Sequence, residues 1–123
     1  MTDEEFLKAF FACELESLSH ADHIRAGWLV LHEHSLHTAL GILSDGFRAF
    51  AAAKGKPEVY HETVTWAFLV LMHERIKQGR AGRSWREFLD LNPELATGRQ
   101  ALQCFYSRER LDSQLAREAF VLP

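Results

Sequence analysis

No apolar run in this 123-residue chain approaches the length of a membrane span, and neither sign of charge is in large excess. A transmembrane helix needs about 20 consecutive apolar residues, so the sequence predicts no bilayer crossing. With 17 acidic and 14 basic residues, the net charge of -3 gives no general electrostatic attraction to nucleic acid or an anionic membrane. Cysteine is scarce. Cys13 and Cys104 lie far apart and form no C-x-x-C pair, which removes a zinc knuckle or a redox couple and leaves buried free thiols as the expectation. The acidic Met-Thr-Asp-Glu-Glu start lacks an apolar signal region, so the expected location is the cytoplasm.

Catalytic signatures are equally sparse. There is no H-E-x-x-H, no G-x-S-x-G and no Cys/His nucleophile arrangement, so neither a zincin protease nor a serine- or cysteine-nucleophile enzyme is indicated. Di-iron bundles need E-x-x-H on two helices, and only Glu58-x-x-His61 occurs. Arg80, Arg83 and Arg86 flank a glycine loop, with Arg108 and Arg110 later, but the spacing matches no phosphate loop and reads as a solvated face.

The chain does contain 47% hydrophobic residues, enough for the core of a single domain over residues 1–123. No strand alternation or internal repeat is present, and helix punctuation recurs throughout. Thr2 or Asp3 caps a first helix to about Leu18, and Ser19 a second over about 20–34. Ser35 begins a third whose continuity Gly41 and Gly46 weaken. Gly55-Lys56-Pro57 ends the third helix and starts a new element. The fourth helix begins between Pro57 and His61, reaches about Lys77, and is apolar on nearly every side, as a central helix is. Ser84 caps a short helix that stops before Asn92-Pro93. Helical pieces over about 94–106 and 112–120 follow, the latter capped by Asp112 or Ser113. The expected fold is all-α, a compact four-helix bundle-like core with additional short C-terminal helices.

Histidine is the compositional outlier, with five of seven between residues 20 and 37. At about 100° per residue, His20 shares a stripe with Ile24, Gly27 and Leu31, flanked by Val30 and Trp28. His23 falls at its edge; Asp22, Arg25, His32 and Glu33 point away. By the same construction His61 lines up with Val64, Thr65, Phe68 and Met72, and Glu62 borders that stripe. Short connections alternate helix direction, which places the starts of helices two and four in one layer with Glu14 and Glu16. Three core-facing imidazoles would need polar partners, and a first-row divalent metal, zinc or iron first, would satisfy them with a position left open.

The expected site is therefore His20, His23 and His61 as metal ligands, with Glu62 as catalytic base or fourth ligand. Asp22 reads as a first-turn acid or as an orienting partner, and Tyr60 as a packing residue or a further hydroxyl. His32, His34, His37 and His73 form a weaker rival cluster, better explained by interfacial polar contacts.

Several stretches carry a resemblance: His20-Ala21-Asp22-His23-Ile24-Arg25-Ala26-Gly27-Trp28, Tyr60-His61-Glu62-Thr63-Val64-Thr65, Tyr106-Ser107-Arg108-Glu109-Arg110-Leu111, and Ala116-Arg117 through Val121. Together they resemble a group of small bacterial all-helical proteins with no assigned activity, so the resemblance implies identity of the domain and no mechanism. Those proteins often carry Thr-Leu-Pro before the first histidine pair, where this chain has Glu14-Leu15-Glu16-Ser17.

The sequence thus predicts a metal-binding helical protein, with metal-assisted hydrolysis, hydration or oxygen chemistry on a small or anionic substrate if it is an enzyme. The alternative is a non-catalytic helical interaction module with structural or pH-responsive histidines. Homo-oligomerisation is compatible with either.

Overall fold

Six of the seven α-helices begin behind a serine or threonine, and the exception is the helix that begins behind a histidine. In the computed structural model, which describes residues 1–123, the helices are α1 (Asp3–Phe11), α2 (His20–Glu33), α3 (Leu36–Ala53), α4 (Glu62–Lys77), α5 (Trp85–Leu91), α6 (Arg108–Asp112) and α7 (Gln114–Glu118). Single 3₁₀ segments cover Pro57–Val59 and Pro93–Leu102. The chain is all-α, and no helix is long and apolar enough to cross a membrane. Thr2 with Glu5, and Ser19 with Asp22, form reciprocal capping boxes that satisfy otherwise orphaned N–H groups.

Helix-end geometry explains why the first helix is shorter than predicted. At Gly55, N–H groups of Gly55 and Lys56 bond back to Ala52 and Ala51 at 3.0 and 2.9 Å; Gly79 and Arg80 do the same to Ile76 and Arg75 at 3.1 and 3.0 Å. These are Schellman closures with glycine at positive φ, 74° and 87°. α1 ends in the same closure, from Cys13 to Phe10 at 3.0 Å and Glu14 to Ala9 at 2.9 Å. Here Cys13 occupies the left-handed position at φ 58°. The helix predicted to reach Leu18 therefore stops at Phe11, at a residue whose type gives no stop signal.

The chain forms two compact units, residues 1–60 and 61–123. In the first, Phe10 is fully buried, with the rings of Phe11, Phe47, Phe50 and Phe6 centred 4.8, 5.2, 6.2 and 6.5 Å away. Gly46 allows α1 to close on α3, since a Cβ there would sit 3.1 Å from ring atoms of both Phe10 and Phe11. The α2 stripe of Ile24, Gly27 and Leu31 is buried as its phase predicts, with Trp28 and Val30. Arg25 pairs with Asp3 at 2.9 Å and lies over the Phe6 ring. Its long stem thereby covers apolar surface while its charge is matched.

Gly41, by contrast, has nothing near its missing Cβ and is exposed. Gly41→Ala should raise stability by about 0.5–1 kcal/mol, because alanine loses less backbone freedom in a helix. Chemical denaturation would register this as a higher midpoint with an unchanged slope; a lower midpoint would contradict it.

In the second unit, α4 packs against α7 and the 3₁₀ segment, and α5 also packs on that segment. Phe88, Leu95, Leu102, Leu111 and Ala116 are buried. α4 exposes Val70, so it is not covered on every side as its sequence predicts. Asn92 ends α5 at φ -134°, ψ 62°, and its buried amide donates to the carbonyls of Phe88 and Arg80 at 2.8 and 2.9 Å. The helix predicted over 94–106 is a 3₁₀ segment broken at Gly98, whose φ is 67°. The piece predicted over 112–120 is shorter, and α6 precedes it behind Ser107.

Candidate histidine site

His61 is the N-cap of α4, with extended backbone at φ -134°, ψ 110°. Its Nδ1 accepts from the Val64 amide at 3.1 Å, and its Nε2 lies 2.8 Å from the Leu111 carbonyl oxygen. An amide only donates and a carbonyl only accepts, so these partners fix the neutral tautomer with hydrogen on Nε2. Only 7% of the residue is exposed. Burial holds its pKa below the ordinary 6.5, and Arg99 and Arg117 push the same way, against the Leu111 carbonyl and Asp112.

In this arrangement His61, expected as a metal ligand, presents no free ring nitrogen. Both ring nitrogens are already bonded within residues 61–123, and a ligand needs one lone pair directed at the ion. The helical phase used to align His61 with Val64 and Phe68 does not apply either, because a cap lies outside the helical dihedrals. Glu62, the predicted base, is the half-buried first residue of α4. A carboxylate there is favoured by the helix dipole.

Two residues further on, the fully buried Thr63 hydroxyl donates to the Ala119 carbonyl at 2.8 Å and accepts from the Val121 amide at 3.1 Å. The Tyr106 hydroxyl donates to the Val121 carbonyl at 2.8 Å, and Arg110 Nε donates to that of Leu122 at 3.0 Å. Burial pushes the Tyr106 phenol up, so the donating form is retained. The Trp66 and Phe120 rings stack, 5.6 Å apart. Thr63, Tyr106 and Arg110 were not predicted as site residues. Their common signal was present in the sequence as the Tyr60–Thr65, Tyr106–Leu111 and Ala116–Val121 stretches, which these hydrogen bonds join.

In the first unit, His20 and His23 are both exposed, correcting their assignment to the core. They lie in the first helical turn, and burial begins at Ile24. His23 Nδ1 is 2.8 Å from the Ser19 carbonyl, and its ring stacks on Phe47 at 4.7 Å. One face is therefore desolvated although the side chain retains solvent contact. That desolvation lowers its pKa; the Ser19 carbonyl raises it, His20 lowers it and Asp22 raises it. Asp22 Oδ2 accepts from the Ser19 amide at 2.9 Å, the capping role of a first-turn acid.

The other histidines are locally accounted for. His32 Nδ1 lies 2.6 Å from the Trp28 carbonyl with the two rings in contact, and His37 Nδ1 lies 3.2 Å from Ser35 Oγ. His34 is the exposed C-cap of α2, and His73 is half-buried on α4. Tyr60 lies beneath the Arg48 guanidinium at 4.8 Å, and Glu14 and Glu16 are exposed. Neither unit contains a group of three or more His, Cys, Asp or Glu side chains placed to hold a metal ion. No family model, curated protein or solved structure matches the chain.

Proposed function

We propose that the protein is a non-catalytic helical interaction module whose buried histidine is structural. The observation carrying this reading is the engagement of both His61 ring nitrogens, by Val64 and Leu111. That pairing meets the cost of burying an imidazole without a metal. Contact surface is supplied by large apolar side chains standing in solvent, with Phe105, Leu115 and Leu122 at 53%, 58% and 70% exposure. Apolar and aromatic side chains of this kind anchor partner contacts.

A metal-binding reading is supported at a different place. The Ser19 carbonyl fixes hydrogen on His23 Nδ1 and leaves Nε2 with its lone pair, the arrangement found in metal-ligating histidines, and His20 lies one helical turn away. Two imidazoles would make a weak site for zinc or iron.

Zinc titration by calorimetry at neutral pH separates the readings. The structural account expects no uptake that depends on His61, so His61→Gln should titrate as the parent does. Uptake lost in His23→Ala would favour the second reading. Uptake lost in a folded His61→Gln variant would overturn the structural assignment.

A further inference from the structure

We propose that proton uptake at His61 Nδ1 is an acid-operated release of the 111–121 segment from the start of α4. The proposal rests on reading His61 as structural, and adds a regulatory role to it. The segment is held near both its ends by side chains two residues apart. His61 donates to the Leu111 carbonyl, and Thr63 bonds Ala119 and Val121. Between these two points α7 packs on α4, the Phe120 ring stacks on Trp66 and Tyr106 bonds the Val121 carbonyl, so the turn supplies the polar attachment to α4 at either end of a packed segment.

A neutral His61 is suited to both tasks, presenting an acceptor to Val64 and a donor to Leu111. Imidazolium has two donors and no acceptor. A proton on Nδ1 would face the Val64 N–H, leaving two donors opposed where the helix cap stood. Rotating the ring away breaks the Leu111 bond. Opening the first turn instead displaces Thr63 from Ala119 and Val121. Either relaxation loosens one end of the clamp.

The surrounding charge favours release. Arg99 from the 3₁₀ segment and Arg117 from α7 face the imidazole, against Asp112 of α6, while Glu62 adjoins it in the chain. Asp112 also pairs with Arg99 at 3.6 Å, so its charge is shared. A third positive charge beside two arginines is repelled more than Asp112 offsets.

The test is amide hydrogen exchange by NMR on the full 123-residue chain, corrected for intrinsic exchange, between about pH 7.5 and about pH 5, the range in which histidine titrates. Protection of the Val64 and Val121 amides should fall about five- to tenfold, the factor carried by one lost cap or one lost hydrogen bond. Its midpoint should coincide with the titration of the His61 ring. His23→Gln should keep the response, and His61→Gln, which cannot become cationic, should lose it. Unchanged Val121 protection while His61 titrates would overturn the proposal, as would a midpoint that follows His23. The comparison of midpoints in the parent protein decides even if His61→Gln does not fold. Failure of the structural reading itself would appear separately, as zinc perturbing the His61 ring at neutral pH before any acid is added.

Discussion

Phe10→Ala is expected to destabilise the protein by about 3–5 kcal/mol, the range for deleting a buried aromatic ring. Phe10 is completely buried, and rings of Phe6, Phe11, Phe47 and Phe50 surround it. Those neighbours are planar and rigid, so they cannot collapse smoothly into the vacated volume. Gly46 offers no side chain to fill it. Part of the loss is hydrophobic transfer, and part is the ring-on-ring contact that aromatic pairs add beyond area. Equilibrium denaturation followed by circular dichroism measures it directly. A loss below about 1.5 kcal/mol would mean that the first unit's core is not organised around this residue.

The second large effect is expected at Thr63. Thr63→Val keeps shape and β-branching but removes the hydroxyl that serves Ala119 and Val121 together. The Val121 amide would be left buried without a partner, at about 1–3 kcal/mol, and loss of the bond to Ala119 adds about 1 kcal/mol more. We therefore expect a loss of about 2–4 kcal/mol, with Thr63→Ser retaining most of the stability. Protease cutting within residues 117–123 should accelerate in the valine variant only. Equal stability of the valine and serine variants would show that the hydroxyl does not hold the segment.

The same region gives stability a pH dependence of defined sign. An unfolded histidine titrates near its ordinary 6.5, whereas His61 in the fold titrates below it. Between those values the unfolded chain binds more protons, so stability is complete above the unfolded pKa and falls as the solution is acidified through the folded one. His23 acts in the same direction within residues 1–60, which is why the two histidines must be separated by substitution.

Helix starts were the most legible feature of the sequence, because a serine or threonine ahead of an apolar stripe satisfies N–H groups locally. Two of the helix ends were legible for an equally local reason, the glycines at 55 and 79. The end of α1 was not, since Cys13 adopts the left-handed conformation without being glycine. The α2 stripe was correct from Ile24 onward, yet extending its phase back to His20 and His23 ignored that a first turn projects past the surface its helix covers. For His61 the limit was one of range. Its role depends on a carbonyl fifty residues away and on extended dihedrals at a position assigned to the helix. A histidine in that sequence context reads equally well as ligand or cap, and only the partners of its two nitrogens distinguish them.

The nitrogen-15 NMR spectrum of the His61 imidazole, recorded at neutral pH before and after addition of zinc, tests the central claim most directly. The account predicts a neutral ring with hydrogen on Nε2, coupling consistent with Nδ1 as acceptor, and no change with zinc. Hydrogen on Nδ1, or a zinc-induced shift of either ring nitrogen, would contradict it.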